Sequence, residues 1–399
     1  MKRKPASPFA APSYKANPYA LYERLRSESP THKTFLPNGT EVWLVTRYED
    51  VVAGSKDSRL VKNISNARGK SLLERLGFSG IRNKNMLRAD PPAHTRLRSL
   101  ANEAFKPKYI RNLRGHIEQI ANDLVDRVQG AGKMEFISDF AFPLPITVIS
   151  EMLGVPEKDH GKFRQWSSDL IASGVLSSEN PPLPPQLLKF VRYMRKLIAE
   201  HRKTPKADVV TQLIETEQNG DRLSNGELVS TLMLLLIAGH ETTVNLIGNG
   251  MLALLQNPEQ LEKLKKDPAL IKPAIEELLR FVNPVQMVNR YAAEDLEIAG
   301  QKIPKGAHLQ MVLAAANHDP AYTPSPEKLD ITREGAQHVA FGQGIHYCLG
   351  APLARLEGQI AFTVLLKRLP NIRMAVAPEK LQWRPAIELR GLNALPVEF

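Results

Sequence analysis

Three stretches of the sequence hold residue types that do chemistry. The sharpest surrounds the chain's single cysteine, in Phe341-Gly342-Gln343-Gly344-Ile345-His346-Tyr347-Cys348-Leu349-Gly350. Gly342, Gly344 and Gly350 permit positive φ and the close approach of backbone to a flat ligand that a Cβ would obstruct. From Leu349 to Leu369 the apolar positions Leu353, Leu356, Ile360, Val364 and Leu365 keep helical spacing. Cys348 therefore stands at a helix start, where free N–H groups and the positive end of the helix dipole favour an anion and lower a thiol pKa. Phe341 would shelter the sulfur from water. A lone cysteine is more often a small buried hydrophobe, and spacing alone leaves that reading open.

The second stretch, Leu236-Ile237-Ala238-Gly239-His240-Glu241-Thr242-Thr243, lies in the middle of the most apolar helix that the pattern predicts. Ser224-Asn225-Gly226-Glu227 has capping-box spacing and opens a run to about Leu255. That is roughly 30 residues, or about 45 Å of helix. A glycine and an acid in such a place are costly and ask for a reason. Ala238 and Gly239 remove bulk and open a groove, while Glu241 and Thr242 can move protons through a carboxylate, a hydroxyl and a water. The plainer alternative has Thr242 bonding back to the preceding turn and Glu241 reaching solvent or a salt bridge.

The third stretch is Asp90-Pro91-Pro92-Ala93-His94-Thr95-Arg96-Leu97-Arg98, where His94 and Arg98 share one face of a helix that starts at proline. Glu277 and Arg280, three apart within Ala274 to Phe281, can also pair on one face. Taken singly, both pairs are commonplace.

The elements that must position these residues are mostly helical. Apolar spacing predicts helices over Pro18 to Ser27, Tyr48 to Ala53, Ile117 to Val128, Pro145 to Leu153, Lys158 to Ala172 and Leu187 to His201. Lys33 to Pro37 and Thr40 to Thr46 read as strands joined at Asn38-Gly39, a pair suited to a primed turn. Val285 to Val288 reads as extended. Leu296 to Gly300, Ile303 and Leu309 to Leu313 read as a small sheet with turns at Gly300 and Pro304-Lys305-Gly306, and short strands follow from Leu381. Asn63 to Asn85 is an expected irregular connection, and the proline-rich Ser173 to Pro185 is either a lid or an ordinary surface loop. With no repeat or flexible linker in view, the expected fold class is α+β: one mainly α domain over residues 1–399 with small β-sheets, its first 16 residues irregular.

One cysteine excludes an intrachain disulfide and fits a reducing cytosol. No uninterrupted apolar run nears the roughly 20 residues of a membrane span. Met1-Lys2-Arg3-Lys4 meets Pro5, Ser7 and Pro8 instead of a signal-peptide core, so a soluble, cytoplasmic protein is expected. The formal charge of +11 raises a nucleic-acid partner. There is no zinc-finger spacing, aromatic RNA-binding strand or basic tail to support one, and charges such as Lys189, Arg192, Arg195, Lys196, Arg202 and Lys203 suit a solvated helix face.

The string around Cys348 resembles the Phe-Gly-x-Gly-x-His-x-Cys-Leu-Gly fingerprint of the cytochrome P-450 family, with every fixed position matched. Asp90 to Arg98, Ala238 to Thr243 and Glu277 to Arg280 resemble three more of its elements, in the expected order, and the similarity extends from about Asn17 to Phe399. Leu329 stands where the family more often has Phe. Ala316-Asn317-His318-Asp319-Pro320 matches a further family phrase.

The resemblance implies a P-450-like fold that binds haem b, with Cys348 as the axial thiolate of the iron, a role taken from the family and not from spacing. It implies that His94, Arg98, Arg290 and His346 hold the haem propionates, with Phe341, Ala238 and Gly350 against the haem. Gly239 would make room for dioxygen, and Glu241 and Thr242 would supply protons to it. Glu277, Arg280 and Arg333 would form a structural lock. Leu235, Ala238, Val285, Met287, Val288 and Leu392 would line a pocket for an apolar organic substrate such as a terpenoid, steroid, fatty acid or polyketide. The Ser173 to Pro185 region is where that family closes over substrate.

The implied activity is monooxygenation with dioxygen. The chain has no cysteines for a cluster and no room for a flavin domain, so electrons would come from a ferredoxin or flavodoxin-type donor with its reductase. Arg96, Lys106, Lys108, Arg111, Arg114 and Arg355 are candidates for the face that docks such an acidic donor. A peroxide-driven peroxygenase could dispense with the Glu241 and Thr242 pair, and a non-catalytic haem sensor would not need it.

Overall fold

The computed structural model describes all residues except 1–6, 12, 13, 15, 71–83, 173–184, 217–219 and 336. The expected lid, apart from Pro185, and the middle of the Asn63 to Asn85 connection lie outside the described residues. In chain order the helices are α1 Tyr19–Glu28, α2 Tyr48–Lys56, α3 Ile64–Arg68, α4 Ala93–Asn102, α5 Pro107–Asn112, α6 Arg114–Gln129, α7 Pro143–Met152 and α8 Glu157–Ala172. They continue with α9 Pro185–Lys203, α10 Val209–Glu215, α11 Asn225–Gln256, α12 Pro258–Lys266, α13 Ile271–Val282, α14 Leu313–Asn317 and α15 Ala351–Arg368. The strands are β1 Thr31–Phe35, β2 Glu41–Val45, β3 Leu60–Val61, β4 Lys133–Glu135, β5 Val288–Ala292, β6 Leu296–Ile298, β7 Gln301–Ile303, β8 His308–Met311, β9 Arg373–Met374 and β10 Pro396–Glu398.

The chain divides into two compact units built from interleaved segments. One comprises Met1–Leu76, Asn245–Cys348 and Pro370–Phe399, the other Gly77–Val244 and Leu349–Leu369. Helix α11 runs from the second unit into the first.

The first unit is organised on a five-stranded sheet of order β1-β2-β8-β5-β3, in which only β2 and β8 run parallel. Val42 and Leu44 pack with Tyr22 and Leu25 of α1 in one apolar cluster, while Val45, Leu309 and Met311 pack with Val51 of α2 in another. Within the N-terminal segment expected to be irregular, Pro8–Ala10 forms a single 3-10 turn, and Phe9 and Tyr14 are buried members of the first cluster. The turn at Asn38-Gly39 is not a two-residue primed turn. The N–H groups of Leu36 and Gly39 donate to Thr40 O and Leu36 O, both at 2.8 Å, and only Gly39 adopts positive φ, at 80°. A type I′ turn needs positive φ at both central residues and a type II′ turn at the first, and Asn38 meets neither condition. The type I′ pattern occurs instead between β6 and β7, where Ala299 and Gly300 have φ of 49° and 76°. Near the C terminus the regular strands are β9 and β10, paired antiparallel, and the stretch between them contributes only isolated bridges.

The second unit is helical. The capping box of α11 is reciprocal: Ser224 N–H donates to Glu227 Oε2 at 2.8 Å and Glu227 N–H to Ser224 Oγ at 3.3 Å. This helix is long and apolar enough to cross a membrane by length and composition, but 83% of its most apolar window is buried within the protein, which accounts for that composition. Helix α6 buries Ile117, Ala121, Leu124 and Val125 and packs beside α15, where Arg368 donates to Asn122 Oδ1 at 3.0 Å and pairs with Asp126 at 2.6 Å. At the end of α9, buried His201 sets Nδ1 on Leu197 O at 2.8 Å and Nε2 on Asp208 Oδ2 at 2.7 Å. Both ring nitrogens thus meet oxygen partners, which fixes the ring between α9 and the start of α10. Asp208 also caps α10 through Thr211 N–H at 2.9 Å.

Candidate active site

In the first unit, the cysteine loop follows from two left-handed glycines, Gly342 at φ 72° and Gly344 at φ 71°. A Cβ on Gly344 would stand 2.8 Å from Ser55 O at the end of α2, so the loop lies where only glycine fits. Backbone bonds then close it: Gly342 N–H to Val339 O at 2.8 Å, Tyr347 N–H to Gly344 O at 3.1 Å, and Cys348 N–H to Phe341 O at 2.9 Å. Phe341 packs edge-on to Tyr347 with ring centres 6.2 Å apart. Cys348 and His346 are half-buried, whereas Ile345 and Tyr347 project outward. Gly350 departs from expectation. Its φ is −82°, open to any residue, and it serves as N-cap of α15.

Arg290 is buried on β5 and donates to Asn289 O at 2.9 Å, while Lys62 Nζ donates to Asn289 Oδ1 at 3.1 Å. Two cations thus converge on one residue. Their surroundings are positive enough that His308, on the neighbouring strand β8, is pushed down to about 4 by burial and by the charges of Arg68 and Lys62. Basic groups gathered at low dielectric suit a carboxylate ligand.

Behind the loop, Glu277 and Arg280 form a two-pronged pair, Nε to Oε2 and Nη2 to Oε1, both at 2.8 Å. The structure brings Arg333 to the same carboxylate, with Nε 3.3 Å from Oε1. The role of the Ala316 to Pro320 phrase was not legible beforehand, and the structure supplies one. Asn317 Oδ1 accepts from Val339 N–H at 2.8 Å, at the root of the cysteine loop, and Asn317 O accepts from Arg280 at 3.1 Å. His318 meets Phe281 O at 3.0 Å and stacks on Tyr19, and Asp319 accepts Tyr48 N–H at 2.9 Å. The lock is thereby tied to the loop through an asparagine.

Of the expected pocket residues, Met287 is 1% exposed and belongs to the core cluster of Phe9, Tyr22 and Val42. Val285 and Val288 keep some exposed surface, whereas Gln286 and Met287 between them are both buried, so the segment does not follow the simple alternation of a strand. Leu235 and Leu392 are also buried.

In the second unit, His94 is buried and Arg98 half-buried on α4. Burial first, and then the Arg98 charge, lower the His94 pKa, so the two basic groups lie close enough to repel. Arg96 was expected on a docking face, yet its guanidinium pairs with Asp221 at 3.3 Å and with Glu227 in the first turn of α11. Lys106, Lys108, Arg111 and Arg114 are exposed and Arg355 half-buried.

At the centre of α11, Ala238 is exposed and Gly239 and Thr242 half-exposed, while their neighbours on both sides are buried. Glu241 is 2% exposed, with Oε2 3.9 Å from Nε2 of wholly buried His240. His240 Nδ1 meets Leu236 O at 2.8 Å and its ring meets the edge of Phe142. The sequence singled out no role for this histidine, which proves to be the ring beside Glu241. Thr242 Oγ1 donates back to Ala238 O at 3.0 Å, as the plainer alternative had it. A Cβ on Gly239 would press Ile149 of α7 at 3.3 Å, so helix packing also explains this glycine.

The cytochrome P-450 family model matches residues 185–380. Over 391 residues the chain is 45% identical to the polyketide biosynthesis cytochrome P-450 PksS of Bacillus subtilis (strain 168), covering 96% of each chain. The chain belongs to the cytochrome P-450 family. A solved PksS structure superposes with a TM-score of 0.90 at 44% identity, covering 97% of this chain and 98% of that one. The structure of P-450BioI in complex with hexadec-9Z-enoic acid ligated acyl carrier protein gives 0.89 at 39% identity, covering 98% and 100%. The fold is thus that of a P-450 and the enzyme a P-450 monooxygenase, of a family that uses haem with cysteine thiolate ligation and dioxygen.

The residues present fit such a group, each on its own unit. One unit offers a glycine-shaped loop with a half-exposed cysteine, and a buried basic cluster around Arg290. The other offers the His94 and Arg98 pair and a small-residue opening in the middle of an otherwise buried apolar helix.

Proposed function

We propose that this P-450 oxidises a long apolar acyl or polyketide-like substrate in the cytoplasm, drawing electrons from a separate ferredoxin or flavodoxin-type donor. Haem b, when bound, supplies the centre at which dioxygen is activated and one oxygen atom enters the substrate while the other leaves as water. The rest falls to side chains. Cys348 holds the iron as thiolate, and the Phe341 carbonyl and paired glycines fix where its sulfur stands. Arg290, His346, His94 and Arg98 take the two carboxylates of the cofactor. Glu241, buried beside His240, holds a proton, and Thr242 passes one on when its hydroxyl leaves the Ala238 carbonyl. Glu277, Arg280, Arg333 and Asn317 keep the cysteine loop from shifting. Lys106, Lys108, Arg111 and Arg114 form the exposed part of the donor's docking face.

The observation that carries this reading is the cysteine loop, with two left-handed glycines and a Cys348 N–H to Phe341 O bond of 2.9 Å, in a chain 45% identical to a polyketide biosynthesis P-450. The substrate class draws on that relative and on P-450BioI, whose structure holds a fatty acyl carrier protein. Replacing Cys348 by His tests the ligand: the strongly red-shifted absorption of the ferrous carbonyl adduct should vanish, and its survival refutes the assignment. Spectral titration of the ferric protein with dodecanoic to hexadecanoic acids tests the substrate class, for which displacement of bound water is expected.

A further inference from the structure

Residues 383–392 form a short hairpin within the first unit, with Trp383 bridged to Leu392 and Arg384 N–H on Gly391 O at 2.9 Å. One side is fastened to the segment entering β5. Val285 bridges Leu389, Gln286 N–H donates to Glu388 O at 2.8 Å, and Arg390 N–H to Pro284 O at 3.0 Å.

The other side rests on the C-terminal half of α11. Asn249 Nδ2 donates to Arg390 O at 2.8 Å. One turn earlier, the Asn245 amide occupies the place that a Cβ on Gly391 would need, well inside contact distance. Asn245 is 3% exposed, and its Nδ2 has no hydrogen-bond partner among the described residues. A buried orphan donor is costly, and here the side chain meets the hairpin by shape. Asn249 meets it by a hydrogen bond.

We propose that Asn245 and Asn249 are positioning residues for substrate selectivity, setting how close the 389–392 hairpin stands to α11 and so where the Val285 and Leu389 wall lies. The proposal rests on the reading that this wall borders the substrate pocket. Gly391 is its mechanical counterpart, because any side chain there must displace either the hairpin or the buried Asn245 amide.

The test uses haem-loaded enzyme and two probes: the fatty acid series above, and 4-phenylimidazole, which coordinates haem iron whatever the natural substrate. Gly391→Ala should weaken binding of the tighter probes about tenfold, as loss of a buried contact or hydrogen bond does, and shift the preferred chain length. Adding Asn245→Ala to Gly391→Ala should recover most of that loss. Asn245→Leu, equal in size but without the amide, should keep the parent profile, and Asn249→Ala should loosen the wall to a similar degree as Gly391→Ala. An unchanged profile in Gly391→Ala, or a loss that Asn245→Ala does not relieve, overturns the proposal. If no fatty acid binds the parent enzyme, the substrate class fails. The 4-phenylimidazole affinities then decide the positioning role alone, with rescue by Asn245→Ala supporting it and absence of rescue overturning it.

Discussion

Glu357 of α15 and Thr243 of α11 stand together in the interior of the second unit, both essentially without solvent contact. Burial drives the Glu357 carboxyl up to about 8, against a weaker downward pull from the Thr243 hydroxyl. That hydroxyl does not close a hydrogen bond of ordinary geometry, and neither carboxyl oxygen has one among the described residues. At neutral pH Glu357 is therefore mostly the neutral acid. The folded chain holds this proton up to about 8, whereas the unfolded chain gives it up near 4.5. Stability should fall as pH rises through that window, by at most about 1.4 kcal/mol per pH unit from this group, and level off above it. Glu357→Gln should flatten the slope and raise the melting temperature at pH about 8. Denaturation of the two proteins across pH checks this, and parallel profiles would remove Glu357 as the cause.

Arg280 makes five hydrogen bonds: two to Glu277 and one each to the carbonyls of Asn317, Pro326 and Lys328. Lysine keeps the charge but lacks the fork. Arg280→Lys and Glu277→Gln should each destabilise the protein by about 3 to 5 kcal/mol, the cost of breaking a buried pair from one side. Haem content after purification should drop with it. Melting curves and the haem-to-protein absorbance ratio read both effects, and a variant with parent values on each measure would show that the lock is dispensable.

Gly154 has φ of 63°, and the space beside its Cα is taken by Asp208 and His201. Gly154→Ala is thus doubly disfavoured, by backbone and by clash, and should cost well over about 1 kcal/mol. Adding Asp208→Ala to Gly154→Ala should relieve the larger part of the clash, leaving the backbone penalty and the contact with His201 Nε2 at 2.7 Å. Chemical denaturation of the four proteins in that cycle measures the coupling, and full additivity would deny the clash.

Much of this arrangement was legible because local chemistry dictates it. Glycines announced the cysteine loop, Ser224 and Glu227 announced the start of α11, and three-residue spacing brought Glu277 to Arg280. What stayed hidden depends on partners far along the chain. Nothing near Gly391 says that Asn245 will stand against it, and nothing near Asn317 says that it will bridge Arg280 and Val339. Glu357 looks like any helix acid until α15 is packed. Met287 is packed against Phe9, Tyr22 and Val42, partners drawn from the far end of the chain, and Asn38-Gly39 failed as a primed turn because Asn38 never enters the left-handed region.

The back-bond of Thr242 to Ala238 O makes a specific kinetic expectation. Thr242→Ser retains a hydroxyl able to alternate between that carbonyl and a donor role, while Thr242→Ala and Thr242→Val do not. With a surrogate electron donor, Ser should keep product formed per reductant consumed within about twofold of the parent, whereas Ala and Val should lose on the order of tenfold, the low end for general acid–base groups. Product yield against reductant oxidation measures it, and Ala with parent coupling would leave Thr242 a helix-packing residue.

Gly239 has two competing explanations, room for dioxygen and room for Ile149, and a paired substitution separates them. The Ile149 Cδ1 and Cγ1 atoms are each 3.3 Å from where a Cβ would stand, close enough that the neighbour must give. Gly239→Ala should lower stability by about 1 to 3 kcal/mol, as overpacking does, and adding Ile149→Val should recover part of it by withdrawing Cδ1. If packing is the whole reason for the glycine, turnover and dioxygen affinity of the double variant should return along with its melting temperature. If stability returns while dioxygen binding to the reduced enzyme stays weak, the glycine is needed for the ligand as well. The two measurements, made on the same four proteins, assign the residue to one role or to both.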